Sequence, residues 1–393
     1  MDLELTAEQG ALRDVLRSVL EAQCPVSLAR SIVESDGEGV ASRDGRIQTT
    51  VAGELWARMA ELDWPALTVP RAYGGVGLGT VELAVMSEEL GRALAPGPLA
   101  ATVSQFVPAV AGGGNDAQRH RFLQPVAREG MAGTLAVAEE SGSWVPEAIR
   151  ATARRVDSGY ALEGVKHYVF DAGTVSEIVV AARVDSGVGP AGVGPAGISL
   201  FVVPRQAVKV VPMANLDASR QYATVVLGGV EVGEDRLLGV PGHGEAALDR
   251  ALQVATVALS AEMVGTCQAI FDTVHAHVTS REQFGVKIGS FQAIKHKLAD
   301  MYVALESARA LAYYAALAVA EDDPGQGLAV AMAKAAAGDC QRLIALEGIQ
   351  CLGGIGYTWE HDMHLYVKRV KASAGMFGTA AEHRERVASL LGL

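Results

Sequence analysis

The stretch Ser280-Arg281-Glu282-Gln283-Phe284-Gly285-Val286-Lys287-Ile288-Gly289-Ser290-Phe291-Gln292 interrupts a long apolar region of helical period. Before it, Met263, Cys267, Ile270, Val274 and Val278 recur three and four apart; after it, Leu298, Met301, Leu305 and Ala308 do the same. The break carries a guanidinium, the amides of Gln283 and Gln292, and two phenylalanines. Such a set suits an anionic, partly aromatic ligand, because arginine neutralises a diphosphate, glutamine donates hydrogen bonds and phenylalanine packs on a base. The same residues also read as a polar helix–helix turn with Phe284 and Phe291 plugging the core. Residue chemistry alone leaves both readings open.

Working outward, the helical period begins near Gly242, and the successive long helices after it predict an antiparallel bundle. From about Gly130 the pattern is different. Tyr160 and Leu162 alternate with polar neighbours, Ile178–Val184 and Ile198–Val203 are short β-rich runs, and Ala223–Val232 is rich in valine. The near-duplicate GVGPAGVGPAG within Asp185–Gly197 reads as a surface loop between two strands. The first third is helical again. Thr6-Ala7-Glu8-Gln9 has capping-box spacing, with Leu12, Val15, Leu16, Val19 and Leu20 as one stripe, and further helices are expected over Gly53–Leu62 and Thr80–Ala93. Strands confined to the middle give an α+β class rather than a βαβ alternation. The expected blocks are a helical one over 1–130, a β-rich one over 131–241 and a helical one over 242–393.

Half of the 393 residues are apolar, which suffices for a large core. The net charge of −12 argues against a nucleic-acid partner, since phosphate neutralisation needs a basic face. Cys24, Cys267, Cys340 and Cys351 show neither CxxC pairing nor histidines at metal spacing, so neither a disulfide framework nor a metal site is expected. Asp2 and Glu4 replace the basic start of a secretory signal. The most apolar run, Ala251–Val264, is interrupted by Gln253 and Glu262 and is too short to span a membrane. The expectation is a cytoplasmic protein without a membrane partner.

Two glycine-rich segments need separate readings. Gly74-Gly75-Val76-Gly77-Leu78-Gly79 lacks a surrounding βαβ unit and a following acidic residue, so it is read as a turn between helices rather than a dinucleotide fingerprint. Gln350-Cys351-Leu352-Gly353-Gly354-Ile355-Gly356-Tyr357 follows another long helix. Its glycines would let a backbone approach a phosphate chain, or would simply cap the helix.

Taken together, these segments resemble the acyl-CoA dehydrogenase family along nearly the whole chain. The resemblance rests on Tyr73-Gly74-Gly75, Glu88-Glu89-Leu90-Gly91-Arg92, Gly164-Val165-Lys166 with Tyr168, the Arg281–Gln292 stretch, Leu298-Ala299-Asp300-Met301 and Gly353-Gly354-x-Gly356-Tyr357, in the family's order. It implies an N-terminal α-helical domain, a middle β-barrel-like domain and a C-terminal four-helix bundle used for oligomerisation. It also implies FAD, α,β-dehydrogenation of an acyl-CoA thioester, and an electron-transferring flavoprotein as acceptor. Arg281, Gln283, Phe284 and Gln292 match residues that reach across a dimer interface to the adenosine diphosphate half of a neighbour's FAD. Gln350, Gly353 and Gly354 match contacts to the same moiety, and Thr379 is carried over as a further cofactor contact.

The chain departs from the family at the chemistry. The usual base, a carboxylate before the final Gly-Thr, is Phe377 here. The position used by some relatives, ten residues before the glycine matched by Gly265, is Ala255. Asp249 and Glu262 are the nearest acids to it, and Glu382 beyond Phe377 reads as a solvated helix carboxylate. No residue is assigned as the catalytic base. The family's Thr-Glu-Pro loop reads Ala138-Glu139-Glu140, and its Trp-Ile-Thr segment reads Tyr168-Val169-Phe170, so two hydroxyls expected near the flavin ring are missing. The resemblance therefore implies the base-less subunit of an α2β2 heterotetramer whose sister chain supplies the base. The actinobacterial steroid-catabolic branch, which the Trp359-Glu360-His361-Asp362 segment resembles, is built this way and suggests a steroid-CoA substrate. Two alternatives stand beside it: a self-sufficient homo-oligomer with a displaced base, and a non-catalytic structural partner without flavin.

Overall fold

The computed structural model describes residues 4–34, 51–184 and 197–393. The GVGPAGVGPAG loop, apart from Gly197, lies outside the described residues. The described residues group into two compact units.

One unit, residues 4–34, 80–95 and 256–393, is helical. Its first helix, Ala7–Gln23, starts at the expected capping box, with Thr6 and Gln9 exchanging side-chain-to-backbone hydrogen bonds. Leu16 and Leu20 of the expected stripe are buried, but Val15 is 55% exposed, so the buried face is narrower than the sequence pattern. Two helices follow, Val26–Glu34 and Thr80–Arg92, and then the bundle: Glu245–Ser280, Gln292–Ala320, Gln326–Leu352, and the shorter Met363–Ala374 and Ala380–Leu390. The first of these begins in the other unit. Helix Glu245–Ser280 is apolar on most faces, as befits an element packed on several sides. The long helices share one core that includes Cys267, Ile270, Met301, Leu305 and Ile344. Ala251–Val264, read as too short to span a membrane, belongs to a 36-residue helix, so length does not decide the matter. Among the described residues, Glu245–Ser280 and Gln292–Ala320 are long and apolar enough to cross a membrane. Their apolar windows are 89% and 44% buried inside the protein.

One helix crossing sets this unit's geometry. A Cβ on Gly265 would lie 1.8 Å from the Glu88 carbonyl oxygen, and one on Gly91 would lie 2.0 Å from the Glu262 carbonyl oxygen. Helices Thr80–Arg92 and Glu245–Ser280 therefore meet backbone to backbone. Thr266 Oγ1 donates across the crossing to the Gly91 carbonyl at 3.2 Å. The acids around it are all paired: Glu88 with Arg309 (3.0 Å), Glu89 with Arg17 (2.7 Å) and Glu262 with the buried Arg369 (3.1 Å).

The other unit, residues 51–79 and 96–255, is built on strands. Before them come helices Val51–Glu61, Leu99–Gly113, whose stretch Thr102–Phe106 is π-helical, and Asp116–Glu129. The glycine-rich segment forms a turn, as expected. A Cβ on Gly75 would collide with the Val69 carbonyl at 2.0 Å, which is why glycine stands there. The strands are β1 Gly133–Ala136, β2 Thr152–Val156, β3 Gly159–Glu163, β4 Val165–Phe170, β5 Glu177–Val184, β6 Gly197–Pro204, β7 Lys209–Met213, β8 Tyr222–Val226, β9 Val230–Val232 and β10 Leu237–Leu238. One sheet runs β10-β6-β5-β2-β3-β9 with β1 alongside β5; a second runs β4-β8-β7. Alternate residues of both sheets, among them Tyr160, Ile178, Phe201, Val169 and Val225, fill one shared core. The unit is thus two facing sheets. The valine-rich run Ala223–Val232, read as a strand signal, is divided. Gly228 and Gly229, both left-handed (φ 54° and 76°), turn the chain so that β8 and β9 enter different sheets.

Candidate cofactor and active site

The deciding stretch folds as a small β-hairpin. Glu282 pairs with Lys287 and Gln283 with Val286. Between them Phe284 (φ 55°) and Gly285 (φ 78°) are both left-handed, the signature of a two-residue type I′ turn. Asparagine or glycine normally takes the first of those places, so a phenylalanine there is strained. Its ring is 92% exposed and meets Phe291 edge-on at 6.2 Å. Phe284 is therefore no core plug; it projects from the fold. Arg281 is exposed and forms no ion pair among the described residues. Gln283 is exposed, with Nε2 donating to the Glu282 carbonyl at 2.8 Å. Gln292 begins the next helix and is exposed as well.

Gln350, Gly353 and Gly354 are likewise exposed. Gly353 does cap its helix, its N–H donating to the Ile349 carbonyl with φ at 65°. A Cβ on Gly353 or Gly354 would meet nothing within 4 Å, so the space beside this turn is open. Ile288 beside the hairpin and Ile349 beside the glycine turn pack on the same core cluster. An uncommitted guanidinium, a projecting aromatic ring, exposed amides and an open glycine turn fit the adenosine diphosphate half of FAD.

The turn in the base position is differently built. Phe377 is buried and left-handed (φ 54°), and Gly378 follows at φ 99°. The His383 ring nitrogen Nε2 lies 2.8 Å from the Phe377 carbonyl and must donate to it. Lys334 Nζ donates to the carbonyls of Gly378 (2.8 Å) and Ala374 (3.3 Å). Thr379, expected as a cofactor contact, is the N-cap of the last helix: its N–H and hydroxyl both donate to Glu382, at 2.7 and 2.8 Å. That capping box holds the Glu382 carboxyl below its ordinary range and makes it a structural group. Ala255 is buried, and the two acids nearest to it along its helix are engaged. Glu262 is locked to Arg369, and Asp249 accepts from Gln253 at 2.6 Å.

Lys334 was not singled out from the sequence, although a lone charge in Ala329–Ala337 is a visible signal. Burial pulls its pKa from the ordinary 10.5 down to about 8, with the Glu382 carboxylate opposing. Between those values the folded chain has released a proton that the unfolded chain still holds, so stability rises with pH there. Wild type should gain about 3 kcal/mol relative to Lys334→Met between pH 8 and 10.5, measured by denaturant titration. A pH-independent difference would refute the assignment.

In the strand-built unit, the positions expected to have lost flavin hydroxyls are apolar and buried. Ala138 is fully buried, and Phe170 packs on Tyr222 with ring centroids 4.9 Å apart. Tyr168, at an irregularity in the β4–β8 register, is left-handed (φ 57°) and 38% exposed. Its ring lies beside Gly142. Phe284, Phe377 and Tyr168 are thus all aromatic residues held in a backbone conformation that disfavours them, in three of the motifs tied to the cofactor or base. Such strain persists where surrounding structure enforces it, typically at functional sites. No sequence pattern announced it. Beneath the Ala138 loop, the fully buried Lys166 donates to Glu139 (2.7 Å) and to the Val137 carbonyl (3.0 Å).

A helical bundle, a two-sheet unit and an exposed guanidinium–aromatic hairpin are the arrangement that the resemblance to the acyl-CoA dehydrogenase family implies. The profile for the acyl-CoA dehydrogenase C-terminal domain matches residues 242–391, and that for the N-terminal domain matches residues 6–130. The chain is 30% identical over 327 residues to isovaleryl-CoA dehydrogenase of Solanum tuberosum, covering 81% of this chain and 77% of that protein. It is 31% identical over 336 residues to acyl-CoA dehydrogenase IpdE2 of Mycobacterium tuberculosis, covering 85% and 86%. Its fold superposes with a TM-score of 0.86 on a chain of the ChsE4-ChsE5 complex from Mycobacterium tuberculosis at 24% identity, covering 100% of this chain and 99% of that one. This chain belongs to the acyl-CoA dehydrogenase family, whose members are FAD-dependent oxidoreductases acting on acyl-CoA.

Proposed function

We propose that this chain is the base-less subunit of a heteromeric acyl-CoA dehydrogenase, clamping the adenosine half of an FAD shared with a sister chain. Its substrate would be a bulky acyl-CoA of the steroid-CoA kind. One observation carries the reading. The two base positions are Phe377 and Ala255, and each acid near them, Glu262, Asp249 or Glu382, is already bonded within the fold. A general base must be ionised and free to reach the α-proton. The likeness to a chain of a two-protein complex supports the heteromer. FAD accepts the hydride when bound; Arg281, Gln283, Phe284 and Gln292 of this chain would hold its diphosphate and adenine, with Gln350, Gly353 and Gly354 contributing to the same half. Electrons would then pass to an electron-transferring flavoprotein, in the cytoplasm, with no nucleic acid or membrane involved.

The chain purified alone should hold little FAD and show no dehydrogenation with a dye acceptor. Mixing with its sister chain should restore both. Arg281→Ala in the complex removes charge-assisted hydrogen bonds of about 1.5–3 kcal/mol and should weaken FAD binding roughly 10- to 100-fold, read from flavin absorbance after dialysis. Robust turnover by the lone chain would establish the homo-oligomer instead, and a colourless complex the structural partner.

A further inference from the structure

Three consecutive residues of the turn in the base position are each held by a different side chain. His383 holds the Phe377 carbonyl, Lys334 holds the Gly378 carbonyl, and Glu382 holds the Thr379 N–H. Lys334 reaches back to the Ala374 carbonyl as well, so its ammonium bridges both ends of the loop. The imidazole also packs closely on Gly378, where a Cβ would lie 3.1 Å from Nε2.

This arrangement is unfavourable in itself. Lys334 is fully buried, and the one carboxylate acting on it, Glu382, is bonded to Thr379 instead. A methionine or leucine would fill that space without desolvating an ammonium. His383 is 94% buried, and its second ring nitrogen, Nδ1, has no hydrogen-bond partner. The turn adds a phenylalanine in left-handed backbone. Stability is given up three times over around one turn, and packing alone explains none of the three. What the polar groups do achieve is directional: they fix the carbonyls that bracket position 377 and so fix where its side chain points.

We infer that Lys334 and His383 are positioning residues for the side chain at 377, holding a preset turn that presents it in a single direction. The inference rests on the reading of this turn as the family's base position. It adds that the pedestal survives in this chain although the carboxylate does not.

The test needs neither flavin nor substrate. 4-Fluorophenylalanine placed at position 377 of the full chain should give one narrow 19F resonance. Lys334→Met and His383→Leu should each split or broaden it while far-UV circular dichroism stays unchanged. His383→Gln keeps an N–H donor for the Phe377 carbonyl and should retain the single line. One unchanged line in both Lys334→Met and His383→Leu would overturn the inference. So would a change that appears only together with loss of helix, since that is the behaviour of ordinary core residues. Should Lys334→Met fail to fold, the comparison of His383→Leu with His383→Gln decides alone. Flavin content of the complex tests the subunit reading separately, so either can fail without the other.

Discussion

Gly265→Ala should destabilise the helical unit by about 3 kcal/mol or more, at or beyond the upper end of what overpacking usually costs. The added methyl would lie 1.8 Å from the Glu88 carbonyl oxygen and 3.0 Å from the Arg92 amide nitrogen. Both are backbone atoms, so no side chain can rotate away. The helices would have to separate, which would also strain the Glu88–Arg309 and Glu262–Arg369 pairs beside the crossing. Gly91→Ala meets the Glu262 carbonyl at 2.0 Å and should behave alike. The control is Gly10→Ala in helix Ala7–Gln23, where a Cβ meets nothing within 4 Å. There alanine's higher helix propensity should stabilise by about 0.5–1 kcal/mol. The same substitution thus has opposite signs at two sites, read by thermal or denaturant unfolding. A Gly265→Ala variant as stable as wild type would mean that the helices do not meet as described.

That crossing marks the limit of what the sequence makes legible. Periodicity located the long helices, since Met263, Cys267, Ile270, Val274 and Val278 lie on one face whatever packs there. It could not show that Gly91 and Gly265 oppose each other, because their separation in the chain is 174 residues and nothing local distinguishes them from other helical glycines. The valine-rich run Ala223–Val232 gives a strand signal along its length because valine content is blind to backbone direction; Gly228-Gly229 is the local signal that the chain turns. The segment around Arg281 stands out in the sequence as a break between long helices, yet only exposure shows that Phe284 is no core plug: a phenylalanine in sequence looks the same whether it plugs a core or projects from a hairpin. The acids near the base positions show the reverse. Their identities were plain, but only the fold shows that Arg369, Gln253 and Thr379 already occupy them.

Lys166→Met should cost the strand-built unit about 3 kcal/mol, the lower end of the range for breaking a buried ion pair. Glu139 joins three segments. It accepts the N–H groups of Arg150 and Ala151, at 3.0 and 2.9 Å, and the Lys166 ammonium at 2.7 Å. Removing the lysine leaves the two backbone donors, which is why the loss falls at the lower end. Burial works to raise the Glu139 carboxyl, but Lys166 and the two N–H groups more than offset it and hold the group below its ordinary range. A carboxylate so depressed contributes stability above its unfolded-state pKa and loses it as pH falls through the folded-state value. Wild type should therefore lose stability toward acid more steeply than Lys166→Met does. The double variant Lys166→Met/Glu139→Gln should recover part of the loss, because an uncharged amide can still accept from Arg150 and Ala151 without leaving a buried anion uncompensated. The Ala138 loop supplies a local readout. Its carbonyl accepts the His167 N–H at 2.9 Å, and hydrogen exchange at His167 should accelerate in Lys166→Met. If the single variant exchanged and unfolded like wild type, the loop would have to be held by the β1–β5 and β4–β8 ladders alone, and the buried pair would have no share in shaping it.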